Sequence, residues 1–392
     1  MYDVVIVRYD EIALKSPPVR RRFEKILIAN IKTALLRHGI TYSEITEEWG
    51  RIFVHTKNAD AADVIARVFG TASASPAITT EATLESAVHI AAQIGNDTIK
   101  NNQSFAIRAS RAGIHDFTSL DIARVCGDAV RECTSSRVDL TDPDQEIFID
   151  MRQKHAYLYT MRAAGAGGLP YSSQGKMIAL VSGGIDSPVA AWLMMKRGTR
   201  IIPLYYDLGA YADPSSAKNA ERNINRLWEW SYSDMLVYRI PYGACLREII
   251  EKCNPRMTCV MCRRMMYRIA MKIAEKEDGC GIITGCSLGQ VASQTAKNMF
   301  AEMYGLGIPI YHPLIGLDKR EIIDRAINIG VFPAEKPAIE CAAVPEHPIT
   351  AATATMVLAN EERIDVEGIV SDAVSGSHVL EWGRDTKSPK AI

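Results

Sequence analysis

The stretch SGGIDS, residues 182–187, decides the fold of this chain; it lies within KMIALVSGGIDSPVAAWLMMKRG. The apolar run before it predicts a buried strand, and the run after it predicts a helix. Glycines permit positive φ angles and close backbone approach, and free N–H groups at the start of a helix attract an anion. Ser182 and Ser187 can add hydroxyl donors. The sequence therefore predicts a phosphate-binding loop.

Asp186 is the unusual member of this loop. A carboxylate beside phosphates is repulsive unless a cation lies between them, so we expect Mg²⁺ there. The loop is not of the Walker type, because the pattern G-x-x-x-x-G-K-[ST] is absent. The alternative is a tight strand-to-helix turn without a ligand, although a plain turn does not need SGG and D-S together.

From residue 176 onward, apolar strands alternate strictly with helices. This pattern predicts an α/β domain with a doubly wound parallel sheet that is covered by helices on both faces. Ligands of such folds bind at the carboxyl ends of the strands, where SGGIDS lies. We expect this domain to cover residues 176–380 and residues 381–392 to form a frayed polar tail.

The front of the chain shows a different, mixed pattern of strands and helices, which is typical of α+β domains. We divide it into a first domain over residues 1–60 and a second over residues 61–165. The Gly- and Ser-rich residues 166–175 are expected to form a linker.

Composition limits the functions that the chain can serve. Its 392 residues carry a net charge of −1, and 47% of them are hydrophobic, which is ordinary for a globular protein. No apolar run is long enough to span a bilayer, and the first residues predict a strand instead of a secretion signal. We therefore expect a cytoplasmic protein without membrane contact. The nine cysteines are odd in number, which argues against a disulfide framework.

SGG-x-DS after a strand resembles the pyrophosphatase loop, or PP-loop, of the adenine-nucleotide alpha-hydrolase-like superfamily. Three stretches narrow the resemblance to the tRNA uracil 4-sulfurtransferases, the 4-thiouridine synthetase or ThiI family: GGLPYSSQGKMIALVSGGIDSPVAAWLMMKRG, ITGCSLGQVASQTAKNM and HPLIGLDKREIIDRA. The front half of the chain also resembles this family. RYDEIALKSPPVRRRFEKIL resembles the family's ferredoxin-like segment, and SFAIRASRAGIHDFTSLDIARVCG resembles its THUMP domain, an RNA-binding module. The likeness is to the short, archaeal-like form without a rhodanese domain.

The resemblance implies an ATP-dependent sulfurtransferase that acts on tRNA and forms AMP and pyrophosphate. ATP would adenylate O4 of uracil, and sulfur would then displace AMP to give 4-thiouridine, expected at position 8. A link to the sulfur of the thiamine thiazole is associated most clearly with rhodanese-bearing members. Two alternatives stay open: thiolation at another tRNA position, and a tRNA-binding protein with an inactive ATPase half.

The resemblance also assigns residues to the nucleotide. Tyr205 and Tyr206 end the next strand, where they either stack on adenine or pack in the core. Arg263, Gly285 and Gln294 match further nucleotide positions. Arg263 either offsets charge on the phosphates or is a surface cation. The loop and the strand end would hold pyrophosphate and Mg²⁺, with a catalytic role for the aspartate: Leu180, Val181, Ser182, Gly183, Gly184, Asp186 and Ser187.

The sulfur chemistry is assigned to cysteines. IECAAVPEHPIT resembles the family segment that holds the catalytic cysteine, here Cys341. Cys259 and Cys262 are three residues apart on a predicted helix and share a face. Together the three resemble the cysteines that archaeal members associate with an iron–sulfur cluster. For Cys259 and Cys262, zinc, a redox pair or two core cysteines are alternatives. The sulfur donor would be sulfide or a persulfide carrier.

RNA binding is expected from the front half. Between residues 8 and 37, eight Lys and Arg face three acidic residues. This charge either meets RNA phosphates, which position RNA without specifying its sequence, or covers a solvated helix face. The candidates there are Lys15, Arg20, Arg21 and Arg22, and the THUMP-like stretch adds Arg108 and Arg111.

Two positions depart from the family's pattern. The family often has an acid at the position of Cys286 and an arginine at the position of His312. The sequence assigns no role to either residue. The family resemblance also implies a homodimer.

Overall fold

The computed structural model describes residues 2–332 and 341–383. The chain divides into two compact units, Met1–Gly168 and Leu169–Ile392. Each unit has its own sheet and is described by itself below.

The first unit combines strands with four helices over its described residues. In chain order they are β1 (Val4–Arg8), α1 (Pro17–Arg37), β2 (Ile45–Glu48), β3 (Arg51–His55), α2 (Ala61–Ala66), β4 (Ser73–Glu81), α3 (Leu84–Thr98), β5 (Ser104–Arg111), α4 (Ser119–Thr134), β6 (Arg137–Val138), β7 (Gln145–Met151), β8 (His155–Tyr159) and β9 (Ala163–Ala164).

One sheet runs through this whole unit, in the order β2-β3-β1-β4-β8-β7-β5-β6, with β9 paired to β4. The long strand β4 joins its two halves, because its first part pairs with β1 and its last part pairs with β8. Helices α3 and α4 pack on the second half through buried residues such as Ala91, Val130 and Phe105. The domain boundary at residue 60 stays a prediction.

The second unit alternates strands and helices as the sequence predicts. Its described elements are β10 (Lys176–Leu180), α5 (Asp186–Lys196), β11 (Arg200–Asp207), α6 (Ser215–Ser231), β12 (Met235–Pro241), α7 (Gly243–Lys252), α8 (Thr258–Glu277), β13 (Gly279–Ile283), α9 (Ala296–Met303), β14 (Ile310–Tyr311), α10 (Lys319–Ile329), α11 (Ala354–Glu361), α12 (Val366–Ser375) and β15 (His378–Trp382).

The strand order of this unit is β14-β13-β10-β11-β12-β15, and all pairs from β14 to β12 are parallel. The chain winds from β10 to one side and then crosses to β13 on the other side. The carboxyl end of β10 is therefore a topological switch point, where open α/β sheets bind ligands. The predicted doubly wound sheet is confirmed, and SGGIDS lies at this switch point.

The edge strand β15 was not expected from the sequence. It pairs antiparallel with β12, and its register places Trp382 opposite Met235. Trp382 is only 2% exposed. The expectation that the tail frays from residue 381 is therefore wrong for Glu381 and Trp382, because sheet pairing and burial hold both; residues 384–392 lie outside the described residues.

Helix α9 is shorter than its apolar pattern indicates. The sequence predicts a helix from residue 291, but the helix begins at Ala296, and the Thr295 side chain accepts a hydrogen bond from the N–H of Asn298. Residues 291–294 form a loop instead. This places Gln294 on a loop, where it lines the same cavity as Ser182, Gly183 and Gly184.

A buried ion-pair network ties α11 to α8. Arg264 is 1% exposed, and its Nε and Nη2 atoms donate to the Glu361 carboxylate at 2.7 and 3.0 Å. Arg268, one turn further along α8, donates to the same carboxylate. The remaining Arg264 nitrogen donates to the carbonyl oxygens of Glu302 and Tyr304. This network fixes the helix that carries Cys259, Cys262 and Arg263.

None of the helices within the described residues is long and apolar enough to cross a membrane.

Replacing Glu361 by glutamine should strongly lower the urea midpoint of unfolding, because it leaves Arg264 as an uncompensated buried charge. Removal of one partner from a buried pair typically costs about 3–5 kcal/mol. The matched control is Glu275→Gln, which removes an exposed pair with Lys272 and should leave the urea midpoint nearly unchanged. Equal midpoints for the two variants would contradict the role of Glu361.

The ion pairs of Glu361 with Arg264 and Arg268 should also make the stability of the fold depend on pH. Burial alone would raise the pKa of Glu361, but hydrogen bonds from Arg268 and Arg264 bring that pKa below its ordinary value. A carboxyl group with a lowered pKa stabilises the fold above its unfolded-state pKa and loses this contribution as the pH falls through the lowered value. The difference in stability between wild type and Glu361→Gln should therefore shrink in acid.

Candidate functional site

The loop after β10 is held by hydrogen bonds to its own atoms and to α6. Ser187 Oγ accepts a hydrogen bond from the backbone N–H of Ser182 at 2.8 Å, and the two hydroxyl groups are 3.0 Å apart. The side-chain amide of Asn223 donates to the carbonyl oxygens of Ser182 and Gly184 at 2.9 and 3.0 Å. With its carbonyl groups satisfied in this way, the loop can offer N–H groups to an anion at the start of α5.

Close packing explains one of the two loop glycines, Gly183, whereas a Cβ atom at Gly184 would make only an ordinary contact with Ser182 Oγ at 3.7 Å. Neither Gly183 nor Gly184 has a positive φ, so that part of the expectation is wrong. A Cβ atom at Gly183 would lie 3.0 Å from the carbonyl oxygen of Ser216. Gly285, at the end of β13, is tighter still, because its Cβ would lie 2.5 Å from the backbone nitrogen of Ser187. Gly285 thus lets the neighbouring strand approach the loop.

Asp186, the first residue of α5, is already paired with a cation. Lys319 Nζ lies 2.7 Å from its Oδ1 atom, and Gln290 Nε2 donates to its Oδ2 atom at 2.8 Å. Lys319 is the first residue of α10. The structure therefore brings a positive charge to the carboxylate that the sequence singled out as needing one.

A cavity of about 430 Å³ opens beside the loop. Loop residues Ser182 to Gly184 and Asp186 line one part of its wall, and Tyr205 and Tyr206 at the end of β11 line another. Tyr206 is also part of the core, since it is 7% exposed and donates its hydroxyl to the carbonyl oxygen of Met266. Leu180, Val181, Ser187 and Gly285 shape this cavity from behind and do not line it.

Arg263 reaches the same cavity from α8. Its Nη2 atom donates to Ser293 Oγ at 2.7 Å, and its Nη1 atom lies 3.4 Å from the Glu302 carboxylate. The side chain is 18% exposed, so the interpretation as a surface cation is wrong. Burial opposes its charge, but Glu302 raises the pKa of Arg263 above the ordinary value. A fixed guanidinium beside a phosphate loop can stabilise charge that develops on phosphate oxygens.

The two positions that depart from the family pattern adjoin Arg263. Arg263 Nη1 lies 3.5 Å from Cys286 Sγ, so the acidic partner of Arg263 comes from Glu302 and not from position 286. Burial, with a smaller effect from Arg263, lowers the pKa of His312 to about 4. His312 is therefore neutral at neutral pH, and its Nδ1 atom is 2.6 Å from Thr284 Oγ1.

Cys259, Cys262 and Cys341 line the cavity together. Burial, and secondly the charge of Cys341, raises the pKa of Cys259; burial also raises the pKa of Cys262. Within residues 2–332 and 341–383, no three His, Cys, Asp or Glu side chains are close enough to hold one metal ion. The predicted trio thus shares a wall without forming a single-ion site.

The segment that carries Cys341 is anchored on both sides of the cavity. The backbone N–H of Ala342 donates to the carbonyl oxygen of Tyr211 at 2.8 Å. Further along, the N–H of Ile349 donates to the carbonyl oxygen of Arg256. The Nε atom of Arg256 in turn donates to the carbonyl oxygen of His347. Cys341 is therefore fixed beside the amino end of α8, although residues 333–340 lie outside the described part.

In the first unit, the expected RNA-binding residues differ in their solvent exposure and in their side-chain contacts. Arg21 and Arg22 are exposed on α1, whereas Lys15 and Arg20 are half-buried. The Arg20 guanidinium lies 5.9 Å from the ring centre of Trp49, which is 76% exposed. Two candidates lie on β5: Arg108, which pairs with Glu146 at 2.7 Å, and Arg111, which is exposed.

The sequence matches three families in succession: the ThiI ferredoxin-like domain over residues 4–75, the THUMP domain over residues 81–161 and Thiamine biosynthesis protein (ThiI) over residues 172–366. A probable tRNA sulfurtransferase of Methanosarcina mazei is 50% identical over 385 residues, which cover 96% of this chain and 95% of that protein. The chain belongs to the ThiI family of tRNA sulfurtransferases. A probable tRNA sulfurtransferase of Methanothermobacter thermautotrophicus is 39% identical, with 95% of this chain and 96% of that protein covered.

A solved structure of a 4-thiouridine synthetase–RNA complex with bound ATP is similar over the whole length. The TM-score is 0.85 at 26% identity, and the match covers 98% of this chain and 100% of that chain. The expected ferredoxin-like, THUMP and PP-loop architecture of a ThiI protein is confirmed. The roles assigned to single residues stay proposals.

Sequence reasoning missed several residues of the ThiI site. Lys319 and Gln290 contact Asp186, Glu302 holds Arg263, and Asn223 holds the loop. Lys319 stands in the quoted stretch HPLIGLDKREIIDRA, so a signal for it was present. Gln290 stands in the quoted stretch ITGCSLGQVASQTAKNM, so a signal for it was present as well. Glu302 and Asn223 stand in none of the quoted stretches, and each contacts a residue that is distant in sequence.

Replacing Gly285 by alanine should weaken ATP binding, because the new Cβ would meet the backbone of Ser187. Such overpacking typically costs about 1–3 kcal/mol. The control is Gly316→Ala, where no atom lies within 4 Å of the new Cβ. Titration of both variants with ATP checks this expectation, and unchanged ATP affinity in Gly285→Ala would contradict it.

Replacing Lys319 by methionine should slow pyrophosphate release from ATP about ten- to hundredfold, since it removes the charge-assisted hydrogen bond to Asp186. Lys272→Met, which changes an exposed lysine on α8, is the control and should behave as wild type. The assay is pyrophosphate release in the presence of tRNA. Equal kcat/KM in the two variants would remove Lys319 from the site.

Proposed function

We propose that this chain uses ATP to activate O4 of a uridine in tRNA and replaces that oxygen with sulfur, which yields 4-thiouridine, AMP and pyrophosphate. The observation that carries this proposal is one cavity in which the PP-loop, Arg263 and three cysteines meet. A cavity for ATP hydrolysis alone would not need cysteines. The expected target is position 8 of the tRNA.

The loop residues bind and orient the nucleotide in this proposal. N–H groups at the start of α5 hold the pyrophosphate part, and Arg263 and Lys319 balance the charge that it carries. Tyr205 lies where a purine ring can stack. O4 of the uridine attacks the α-phosphorus, the bond to the β-phosphate bridge breaks, and pyrophosphate leaves.

The donor set fits Mg²⁺. Asp186 supplies a carboxylate at the cavity wall, where Mg²⁺ would share it with Lys319 and Gln290, and Ser182 supplies a hydroxyl group. Mg²⁺ typically binds one or two carboxylates together with phosphate oxygens and waters. Bound there, the ion would neutralise the charge of the pyrophosphate.

An iron–sulfur cluster is the group that we propose for the three cysteines, because all three line the same cavity. Zinc bonds to sulfur at about 2.3 Å, so a single ion needs sulfur atoms within about 4 Å of one another; the described residues do not form such a group. A cluster has several irons and holds its cysteine ligands further apart. Cys259, Cys262 and Cys341 would hold it, and it would supply an iron for a sulfide ligand.

The donor in this proposal is sulfide or a persulfide carrier. With sulfide, the sulfur attacks C4 of the activated uridine, the bond from C4 to the AMP oxygen breaks, and a proton passes to water. A homodimer, a cytoplasmic location and a role in thiamine synthesis are further proposals from the family resemblance.

The first experiment is anaerobic incubation of the full chain with ATP, Mg²⁺, sulfide and unmodified tRNA, followed by mass spectrometry of the digested nucleosides. We expect 4-thiouridine that requires ATP and is lost in Asp186→Asn. A thionucleoside at another position would favour a different target site. RNA binding without any ATP turnover would favour a tRNA-binding protein with an inactive ATPase half.

Replacing Cys341 by serine should abolish thiolation while pyrophosphate release continues, because the side chain keeps its size but loses its sulfur. Cys133→Ser, at an exposed cysteine of the first unit, is the control and should leave both steps unchanged. Thiolation that survives in Cys341→Ser would show that Cys341 is neither the sulfur carrier nor an essential ligand.

A further inference from the structure

A second charged cavity lies in the first unit, and none of the residues assigned to ATP lines it. It measures about 510 Å³ and is lined by four arginines and one aspartate: Arg8, Arg51, Arg108, Arg162 and Asp150. The register of the sheet places Arg8 opposite Arg51 and Arg108 opposite Phe148. Five strands, β1, β3, β5, β7 and β8, thus contribute arginines or aromatic rings to the lining of one cavity.

Arg8 is the residue that makes this cavity unusual. It is 5% exposed, its Nη1 atom donates to Ser75 Oγ at 3.0 Å, and its guanidinium lies 4.7 Å from the ring centre of Tyr159. Within the described part of the chain, its Nη2 atom is buried without a hydrogen-bond partner. An unpaired buried donor costs free energy, and an acceptor bound there would remove this cost.

The charge of the cavity is not balanced by its own carboxylate. Asp150 is shared by Arg51 at 3.5 Å and Arg152 at 3.0 Å. Arg162 donates to Ser73 Oγ, a neutral partner, as Arg8 does to Ser75. Burial lowers the pKa of Arg8, and the neighbouring Arg51 and Arg162 lower it further. An anion in the cavity would relieve this repulsion.

Phosphate is the anion that fits these donors. Guanidinium groups bind phosphate oxygens through paired N–H donors, and several arginines around one anion are typical of phosphate sites. The rings of Tyr159 and Phe148 are stacked 5.1 Å apart and line the same cavity, and the Arg8 guanidinium lies over the Tyr159 ring. The first turn of α4 also lines the cavity, through Ser119 and Leu120.

We propose that this cavity binds one phosphate group of the RNA substrate, with Arg8 as the central ligand. The choice of RNA rests on the proposed function, because phosphate contacts of this kind position an RNA without specifying its sequence. The basic helix α1, with Arg21 and Arg22 exposed, belongs to the same unit and favours a polyanion.

The test uses the full chain with three variants. Arg8→Met removes the charge but keeps an unbranched side chain, Arg8→Lys keeps the charge but loses the planar fork, and Arg131→Met is the control at an exposed arginine paired with Asp128. Without ligand, Arg8→Met should have an unchanged or higher Tm, because a buried unpaired charge is replaced by an apolar group.

We expect Arg8→Met to bind a tRNA transcript about ten- to hundredfold more weakly than wild type at fixed salt. A plot of the logarithm of the tRNA association constant against the logarithm of the salt concentration has a negative slope. In Arg8→Met the magnitude of this slope should be smaller by about 0.7 to 0.9, which is the contribution of one phosphate contact. Arg8→Lys should keep the salt dependence of wild type, with a tRNA affinity between those of wild type and Arg8→Met. If Arg8→Met does not fold, Arg8→Lys becomes the deciding variant. Arg131→Met should match wild type.

Inorganic phosphate is the second probe. It should raise the Tm of wild type more than that of Arg8→Met, and since both keep the PP-loop, the difference isolates the Arg8 cavity. Unchanged tRNA affinity in the Arg8 variants, or an equal loss in Arg131→Met, would overturn the proposal. An effect on phosphate but not on tRNA would overturn its RNA part and show a site for the free anion.

These results separate the two proposals. If wild type forms no thionucleoside but binds tRNA through Arg8, the proposed function fails and the phosphate site stands. If wild type forms 4-thiouridine and the Arg8 variants bind and thiolate tRNA normally, the phosphate site fails and the proposed function stands.

Discussion

The backbone turn between β10 and α5 is the constraint on which the second unit depends. Its N–H groups can face an anion only if its carbonyl groups are satisfied elsewhere, and the Asn223 amide does this for Ser182 and Gly184. The turn must also pack closely against β13, which Gly285 alone permits at that point. The parallel sheet then aims the carboxyl ends of its strands at the same place.

Helix α8 connects the stability of this unit to its chemistry. Consecutive residues of a helix point about 100° apart, so Arg263 and Arg264 face different surroundings. Arg264 points into a buried network with Glu361, while Arg263 reaches the cavity and meets Glu302. The network that fixes α8 therefore also fixes the arginine and the cysteines that the proposed reaction uses.

Much of the fold and part of the site could be predicted from the sequence. Strands and helices with clear apolar periods, such as β10, α4 and α8, lie where the pattern places them. The strand β15 has a short, mixed pattern, and only its pairing with β12 makes it a strand. Glu302 could not be found, because its role comes from burial beside Arg263 and a carboxylate in a helical pattern carries no such signal.

The sequence by itself determined the doubly wound sheet, the phosphate loop and the family, because these depend on local periodicity and on residues that are neighbours in the chain. Only the tertiary structure decided that Lys319 pairs with Asp186, 133 residues away, and that Arg8 lies buried under an unbalanced cluster of arginines. Both depend on which side chains the strands and helices bring together and how far they exclude water. Contacts of that kind set the strength of charge interactions, and no spacing within the sequence encodes them.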